Sequence, residues 1–246
     1  MKKPLPLPPA EVQDAALSTF TNWVAAIADR VNNPVASVLA GLSLVQREIE
    51  QPSNGVSLDP QLVAATLDRI KIRLMALAEY VQELRNFGHP DTFTPVGVAL
   101  STVLATVIRE CETRGELRGE VEVVLNVPMV VADYSRLKVA LHALILNGWE
   151  AAARSERRCV RFSSNTAAGG VEITVEDNGP GFSVAAMARA GEPFFSTKEA
   201  GTGLGLAIVR KFVASHGGSF EIASSSSLGG AKVTLLLPMK LLEVKS

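Results

Sequence analysis

The chain has 246 residues, of which 47% are hydrophobic and 20% charged, and its 24 basic side chains nearly balance its 25 acidic ones. A length of this order allows one large domain or two smaller ones, each able to bury a core. The net charge of −1 offers no electrostatic basis for binding nucleic acid or an anionic membrane. Since no apolar run approaches the roughly 20 residues that span a bilayer, we expect a cytoplasmic protein that binds neither nucleic acid nor membrane.

The proline-rich start and the two cysteines carry little further information. Residues 1–10 include four prolines and predict an extended tail. Cys111 and Cys159 match neither a metal-binding spacing nor a disulfide framework. We therefore expect two inert thiols.

Two long helices are predicted next. Between Leu17 and Ile49 apolar residues recur at alternating steps of three and four, a pattern typical of an amphipathic helix. A turn-rich segment follows, and Asp59 with Pro60 supplies an N-cap and a first-turn proline for a second helix. The same apolar spacing continues to near Gly88, where that helix is predicted to end.

Residues 11–90 therefore predict an antiparallel helical hairpin. Each helix has an apolar seam that a lone hairpin would leave exposed. We expect two hairpins to associate as a four-helix bundle, which makes the protein a homodimer. The alternative is that the seam packs onto the domain downstream.

Residues 94–246 mix helical and strand patterns. In chain order they predict a helix at 96–114, a β-branched stretch at 121–131, a helix at 135–153, strands at 159–165 and 171–177, a helix at 205–216 and a strand pair at 219–225 and 231–238. This order is typical of an α+β fold in which helices cover one face of a mixed sheet.

The segment DNGPGF, residues 177–182, directly follows a predicted strand. Gly179 and Gly181 allow a planar ligand to approach the main chain closely. The carboxylate of Asp177 can accept a hydrogen bond from an exocyclic amine. The segment therefore predicts a binding site for a planar ligand that carries an exocyclic amine.

Three other segments carry groups suited to phosphate and metal. GTGLGLAIV, residues 201–209, opens a predicted helix whose backbone N–H groups can bind phosphate. In EPFFSTK, Lys198 can reach a terminal phosphate, and upstream Asn147 offers an amide oxygen suited to Mg²⁺. A single segment of this kind is more often plain structure, but the four in this order predict a nucleotide site that differs from the Rossmann arrangement.

In these motifs the chain resembles the sensor histidine kinases, and residues 94–246 resemble the Bergerat, or GHKL, ATP-binding domain. Residues 147–151 match the family's asparagine box, DNGPGF its first glycine box, EPFFSTK its phenylalanine box and GTGLGLAIV its second glycine box. The resemblance implies a helical hairpin followed by a Bergerat-type α/β sandwich, with ATP and Mg²⁺ as cofactors.

The resemblance also implies roles for single residues. Asp177 would hold the adenine, Asn147 would hold Mg²⁺, and a lid between Phe194 and Gly203 would enclose the phosphates. The residues implied to bind the nucleotide are Asn147, Asp177, Gly179, Gly181, Lys198, Gly201, Thr202, Gly203, Leu204 and Gly205. One departure is Ala143, where the family usually has Asn and its hydrolytic relatives have a water-activating Glu, which argues against a dedicated ATPase.

A second departure lies in the first helix. The stretch AAIADRVNNPVASV resembles the family's phosphoacceptor motif AxIAHExNNPLAxV, but Asp29 stands in the place of the histidine and Arg30 in that of the acidic residue. The heptad pattern places Asp29 on the outward face. A neutral imidazole is a nucleophile near pH 7, whereas Asp29 has Arg30 and no base beside it. None of His89, His142 and His216 lies on that face.

Four functions stay open. The first is a two-component signalling protein that binds Mg·ATP, does not autophosphorylate at Asp29, and acts as an ATP-responsive dimeric regulator. The others are a kinase that phosphorylates a partner histidine in trans, a response-regulator phosphatase that uses Asn33 to orient water, and a docking scaffold without enzymatic activity. A receiver domain or another signalling protein is the expected partner. So little sequence precedes the first helix that we expect a partner to supply the signal, or the chain to be a fragment of a longer kinase.

Overall fold

A computed structural model of the chain describes residues 10–50, 59–88, 94–198, 201–225 and 227–239, with side chains from Ser18 onwards. The predicted tail at 1–9, the turn-rich segment after the first helix and His89 lie outside the described residues. The chain divides into two compact units, Met1–Gln82 and Glu83–Ser246. None of the described helices is both long and apolar enough to cross a membrane.

Two long helices form where the apolar spacing predicts them. Helix α1 spans Ala10–Glu50 and continues through Pro34, and α2 spans Pro60–Gly88. Asp59 caps α2, since its Oδ1 accepts hydrogen bonds from the backbone N–H groups of Gln61 at 2.9 Å and Leu62 at 3.2 Å. The predicted start of the second helix is therefore confirmed.

The two helices approach each other closely at Gly41. A Cβ atom added there would lie 2.9 Å from Cγ1 of Ile70, and Ile70 and Val38 are buried. Most of the apolar seam stays open in the single chain, however. Its exposed members include Phe20, Val24, Val35, Leu42, Ile49, Leu67, Leu74 and Val81. Exposed apolar surface of this extent on two helices is characteristic of an interaction surface.

The rest of the chain alternates strands and helices. The elements are β1 Val96–Ala99, α3 Leu100–Thr113, β2 Val121–Leu125, β3 Met129–Ala132, α4 Tyr134–Ala151, β4 Val160–Ala167, β5 Gly170–Asp177, α5 Val184–Arg189, α6 Gly205–Ser215, β6 Ser219–Ser224 and β7 Ala231–Pro238. A single 3₁₀ turn, Ala152–Arg154, extends α4.

A mixed five-stranded sheet organises this unit. Its strand order is β2-β4-β5-β7-β6, with β2 parallel to β4 and the other neighbours antiparallel. A separate two-stranded sheet pairs β1 with β3. The predicted α+β class, helices followed by a sandwich with a mixed sheet, is confirmed.

One face of the sheet forms the core with three helices. Phe162 pairs with Val175 across β4 and β5, and Ile173 pairs with Leu235 across β5 and β7. These alternate positions share a face because side chains in a strand have a period of two. From the helices, the core includes Leu104, Val107, Leu137, Leu141, Leu144, Val209 and Phe212. Each such side chain contributes about 1.5–3 kcal/mol by burial, so α3, α4 and α6 are held on this face.

The predicted helix at 96–114 is wrong at its start. Residues Val96–Ala99 form a strand that pairs with β3, and the helix begins at Leu100. A short apolar run does not distinguish strand from helix by periodicity. The β-branched stretch likewise divides at Asn126 into two strands of different sheets.

Candidate functional site

Asp177 ends β5 and is the buried acid of the candidate site. Its side chain points to the core face, because it pairs with Val160 in the sheet register, and only 4% of it is exposed. Oδ1 accepts hydrogen bonds from the backbone N–H groups of Gly179 at 2.8 Å and Ala231 at 3.2 Å. Among the described residues no hydrogen bond to Oδ2 is present, so that oxygen is the one open to a ligand amine.

Burial and hydrogen bonding act in opposite directions on this carboxyl. Burial raises the pKa of Asp177 above its usual value, while the N–H groups of Gly179 and Ala231 and the charge of Lys198 counteract part of that effect. An acid that is buried and yet held by fixed donors is a frequent feature of binding sites.

Two glycines bring other elements against Asp177. A Cβ atom added at Gly148 of α4 would lie 3.4 Å from Cβ of Asp177. A Cβ atom at Gly230, just before β7, would clash with the carbonyl and carboxylate oxygens of Asp177. Small residues are therefore needed at both places for α4 and β7 to reach the acid.

The first glycine-rich segment makes a tight turn after β5. A Cβ atom at Gly179 would lie 2.7 Å from the backbone C and O of Ala151, and Gly181 has φ +71°. Asn178 fixes the turn, since its side chain accepts from the N–H of Cys159 at 2.9 Å and donates to the carbonyl of Arg157 at 2.7 Å. The segment thus requires glycine for two separate reasons, a close approach and a left-handed backbone.

Lys198 joins the phenylalanine-rich segment to α4. Its ammonium donates to Oδ1 of Asn147 at 2.8 Å and to Oε2 of Glu150 at 2.7 Å. Asn147 and Glu150 are three residues apart on α4 and so lie on the same face. The structure therefore brings together Lys198, predicted to contact phosphate, Asn147, predicted to hold the metal, and Glu150 of the asparagine box.

The second glycine-rich segment leads into α6. Gly203 has φ +72°, and its carbonyl accepts a hydrogen bond from the N–H of Phe194 at 3.0 Å. Phe194 is itself left-handed, with φ +67°. The hydroxyl of Thr202 accepts from the N–H of Leu204 at 3.2 Å. Residues 199–200 of the predicted lid lie outside the described residues.

The first turn of α6 faces α4. A Cβ atom at Gly205 would lie 3.7 Å from Cβ of Ala143, so Ala143 lies beside the start of this helix. Leu204, which precedes α6, is fully buried. Gly201 is packed tightly as well, since a Cβ atom there would clash with Oγ of Ser196.

The residues present fit ATP and Mg²⁺. A cation, the ammonium of Lys198, already lies between the oxygens of Asn147 and Glu150, which shows that these oxygens are placed for positive charge. Amide and carboxylate oxygens are ligands that Mg²⁺ prefers. The buried carboxylate of Asp177 has an oxygen open to an amine such as that of adenine. At Gly179, Gly201 and Gly203 a Cβ atom would clash with neighbouring atoms.

Asp29, Arg30 and Asn33 lie on α1, in the other unit. Asp29 and Asn33 are exposed and Arg30 is half-buried. Their separation of four residues places Asp29 and Asn33 on the same side of the helix. In the single chain the seam residues Val24 and Val35 are exposed as well, so the outward position of Asp29 in a bundle stays a prediction.

Two histidines are described, and both lie in the second unit. Nε2 of His142 is 3.2 Å from Oε2 of Glu116. His216, at the C-cap of α6, is buried, with Nε2 accepting from the N–H of Asp133 at 3.2 Å and Nδ1 lying 2.8 Å from the carbonyl oxygen of Phe212. Each imidazole therefore has a structural contact of its own.

Sequence reasoning missed Gly148, Glu150 as a partner of Lys198, and the pair Gly230 and Ala231. Gly148 and Glu150 stand inside the quoted asparagine box, so a closer reading of that helix would have found them. The contribution of Ala231 arises from the pairing of β5 with β7, which no local pattern indicates.

Comparison with known proteins shows what the chain is similar to. Residues 132–241 match the family model "Histidine kinase-, DNA gyrase B-, and HSP90-like ATPase". The chain is 30% identical over 230 residues to sensor histidine kinase ZraS of Escherichia coli O157:H7, covering 92% of this chain and 47% of that protein. It is 28% identical over 221 residues to C4-dicarboxylate transport sensor protein DctB of Rhizobium meliloti strain 1021, covering 88% of this chain and 34% of that protein.

A solved structure shows the same fold over most of the chain. The histidine kinase ThkA, determined in complex with the response regulator protein TrrA, has a TM-score of 0.66 and 19% identity, with 92% of this chain and 64% of that one covered. The chain spans between about a third and a half of the length of the two curated relatives. Residues 132–241 therefore belong to the histidine kinase-, DNA gyrase B- and HSP90-like ATPases, the GHKL type of ATP-binding domain, and over most of its length the chain is similar to sensor histidine kinases.

Proposed function

We propose that this protein binds Mg·ATP in its second unit and acts as an ATP-responsive, dimeric regulator in two-component signalling that does not autophosphorylate in the usual way. One observation carries the proposal. A unit in which Lys198 contacts Asn147 and Glu150, and which holds the buried acid Asp177, follows a helix that exposes Asp29 where the family has its phosphoacceptor histidine.

The nucleotide part of the proposal rests on three groups. Asp177 recognises the adenine amine, Asn147 holds Mg²⁺, and Lys198 contacts the terminal phosphate once its present partners have bound the metal. Mg²⁺ neutralises the charge of the phosphates. Backbone N–H groups at the start of α6, residues 201–205, bind phosphate oxygens.

The missing acceptor follows from the chemistry of α1. A carboxylate at Asp29 lacks the neutral nitrogen that attacks phosphorus near pH 7, and Arg30 beside it is no base. His142 and His216 are engaged in contacts within the other unit. Neither of these two imidazoles replaces the missing one on the face of α1 that exposes Asp29.

The dimer and its partner are supported by the exposed seam of the hairpin. Phe20, Leu42 and Leu67 are among the apolar side chains that a second hairpin would cover, and helical bundles bury such seams. ThkA was solved with a response regulator. By analogy, a receiver domain is the partner we propose for this chain.

The test is ATP binding measured beside phosphorylation. Calorimetry with Mg·ATP should show saturable binding, and the variant Asp177→Asn should lose on the order of tenfold to a hundredfold in affinity, because it opposes the adenine amine with an NH₂ group. Asp59→Asn, which keeps the cap of α2, is the matched control and should bind as the parent does. Incubation with radiolabelled ATP should leave the parent chain unlabelled.

Two results would contradict the proposal. Absence of binding at millimolar nucleotide would remove its first part. Label on the parent chain would remove the second. Alkali-labile as opposed to acid-labile label would indicate an acyl phosphate, and its loss in Asp29→Ala would assign it to Asp29.

A phosphatase activity is a second candidate. Asn33 is exposed one turn after Asp29, where an amide can orient water toward a phosphorylated receiver domain. Asn33→Ala should slow dephosphorylation of such a domain, whereas Asn32→Ala, an exposed neighbour that points elsewhere, should not. Equal rates for the two variants would exclude this role.

A further inference from the structure

A cysteine, a glutamate and a histidine meet between α3 and α4, away from the motifs that identify the nucleotide site. Sγ of Cys111, a carboxylate oxygen of Glu116 and a ring nitrogen of His142 all lie within 4.8 Å of one another. No local pattern groups the three residues, because Cys111 and His142 are far apart in the chain and fit no metal-binding spacing.

The end of α3 builds the first half of this cluster. Gly115, with φ +72°, donates its N–H to the carbonyl of Glu112 at 3.0 Å, and Glu116 donates its N–H to the carbonyl of Cys111 at 2.9 Å. This pair of bonds is the Schellman motif. It turns the chain back on itself and so fixes Glu116 beside the last turn of the helix, where Cys111 lies.

Helix α4 supplies the second half. Nε2 of His142 lies 3.2 Å from Oε2 of Glu116. The side chains of His142 and Glu116 are 24% and 18% exposed, whereas Cys111 is fully buried beneath them. The cluster is therefore closed on the protein side and open to ions from solvent.

We propose that Cys111, Glu116 and His142 bind one divalent cation of the zinc class, with solvent as the fourth ligand. Thiolate, imidazole and carboxylate are together the donor set that zinc takes in proteins. Two negative ligands balance the charge of the cation, so the partly buried site becomes neutral when it is filled.

The distances support a tetrahedral site. With bonds of about 2.0 Å to nitrogen or oxygen and about 2.3 Å to sulfur, ligand atoms on one zinc ion lie about 3.3–3.5 Å apart. The contact between His142 and Glu116, at 3.2 Å, is already close to this separation. The remaining distances, at most 4.8 Å, require an inward movement of little more than about 1 Å, which side-chain rotation at the rim supplies.

A proton occupies the cluster when the metal is absent. Burial, followed by the charge of Glu116, raises the pKa of the Cys111 thiol to about 12, so the thiol keeps its proton and is hydrogen-bonded to Glu116. Binding of the cation forms a metal–sulfur bond and releases that proton to solvent. The cation thus takes the place of the proton between sulfur and carboxylate.

The charged neighbours allow this exchange. Nη1 of Arg114 lies 3.7 Å from Oε1 of Glu116, but Arg114 is 55% exposed and can turn toward solvent. Lys138 on α4 is paired with Glu110 at 2.9 Å. The cation would link α3 to α4, the helix that carries Asn147 five residues further on, about 140° around the helix axis from His142.

The experiment uses the full chain and two metal probes, Zn²⁺ and Co²⁺, with excess Mg²⁺ present to occupy oxygen-rich sites. Zn²⁺ affinity is measured by competition with a chromophoric chelator under a non-thiol reductant. Co²⁺ should give a sulfur-to-metal charge-transfer band and the intense visible bands of a four-coordinate ion. The variants are Cys111→Ser and His142→Gln, and the matched controls are Cys159→Ser and Glu112→Gln.

We expect one Zn²⁺ per chain, with affinity reduced at least about tenfold in each cluster variant and unchanged in both controls. Circular dichroism of the metal-free variants checks that they are folded. The Co²⁺ spectrum of the parent chain tests for a sulfur ligand even if a variant does not fold. Absence of the charge-transfer band, or Zn²⁺ binding that survives both cluster substitutions, would overturn the proposal.

Discussion

The ammonium of Lys198 lies 2.8 Å from Oδ1 of Asn147, the proposed metal ligand. It also contacts Glu150 at 2.7 Å, so without ligand this lysine supplies the positive charge that these oxygens would otherwise receive from Mg²⁺. A metal ion bound by Asn147 and Glu150 would compete with Lys198 for these oxygens and repel its charge. The phosphates of a bound nucleotide would then offer the ammonium new partners.

Lys198→Gln should change the preference between ATP and ADP. A hydrogen bond to a charged group is worth about 1.5–3 kcal/mol, so the loss of the terminal-phosphate contact should weaken ATP binding about tenfold or more relative to ADP. Calorimetric titration with each nucleotide in the presence of Mg²⁺ measures the ratio. Lys138→Gln, which removes a lysine from another ion pair, is the control, and an unchanged ratio in Lys198→Gln would contradict the assigned contact.

Gly179→Ala should destabilise the second unit and weaken nucleotide binding together. The new methyl group would lie 2.7 Å from backbone atoms of Ala151, and backbone cannot rotate away as a side chain can. Overpacking of this kind costs about 1–3 kcal/mol. Thermal unfolding and ATP titration measure both effects. Gly97→Ala, whose methyl group would only meet the flexible end of Met129 at 3.4 Å, should leave both nearly unchanged, and equal behaviour of the two variants would refute the steric argument.

The sequence predicts those parts of the fold that local patterns determine. The periodicity of α1, the cap of α2 at Asp59 and the alternation of β5 are properties of short segments, and the structure has them as expected. Val96–Ala99 shows where this stops, because its conformation is decided by pairing with Met129–Ala132 and not by its own residues.

The candidate site divides in the same way. Asp177, Gly179, Lys198 and Asn147 stand in recognisable motifs, so the sequence alone predicts them as site residues. The N–H of Ala231 reaches Asp177 only because β5 and β7 are neighbours in the sheet. Contacts of this kind depend on the tertiary fold, so a local sequence motif does not predict them.

Asp133, the N-cap of α4, should make the free energy of unfolding depend on pH in the acid range. Burial acts to raise the pKa of Asp133, but hydrogen bonds from the N–H groups of Arg136 and Thr94 outweigh it and hold the pKa below its usual 3.8. A carboxyl with a lowered pKa stabilises the fold above its unfolded pKa, and this contribution is lost as the pH falls through the lower, folded value. At neutral pH, Asp133→Ala should cost about 1 kcal/mol.

Asp133→Asn separates the charge from the cap. Asparagine caps a helix about as well as aspartate but does not titrate. At neutral pH the free energy of unfolding of the parent should therefore exceed that of this variant by about 0.3–1 kcal/mol. This difference should disappear as the pH falls below 3.8. Denaturant unfolding followed by Trp149 fluorescence, in a Trp23→Phe background, measures the second unit. A difference that does not change with pH would show that the charge of Asp133 has no part in the cap.

The double substitution Asp29→His with Arg30→Glu should restore phosphorylation. It supplies an imidazole nucleophile on the exposed face of α1 and a neighbouring carboxylate to orient it and accept its proton, a contribution on the order of a hundredfold. Radiolabelled ATP should then give acid-labile label on the chain, less on Asp29→His alone, and less at subsaturating ATP when Asp177→Asn is added. If the double variant binds ATP and stays unlabelled, the lost histidine is not what separates this chain from an active kinase.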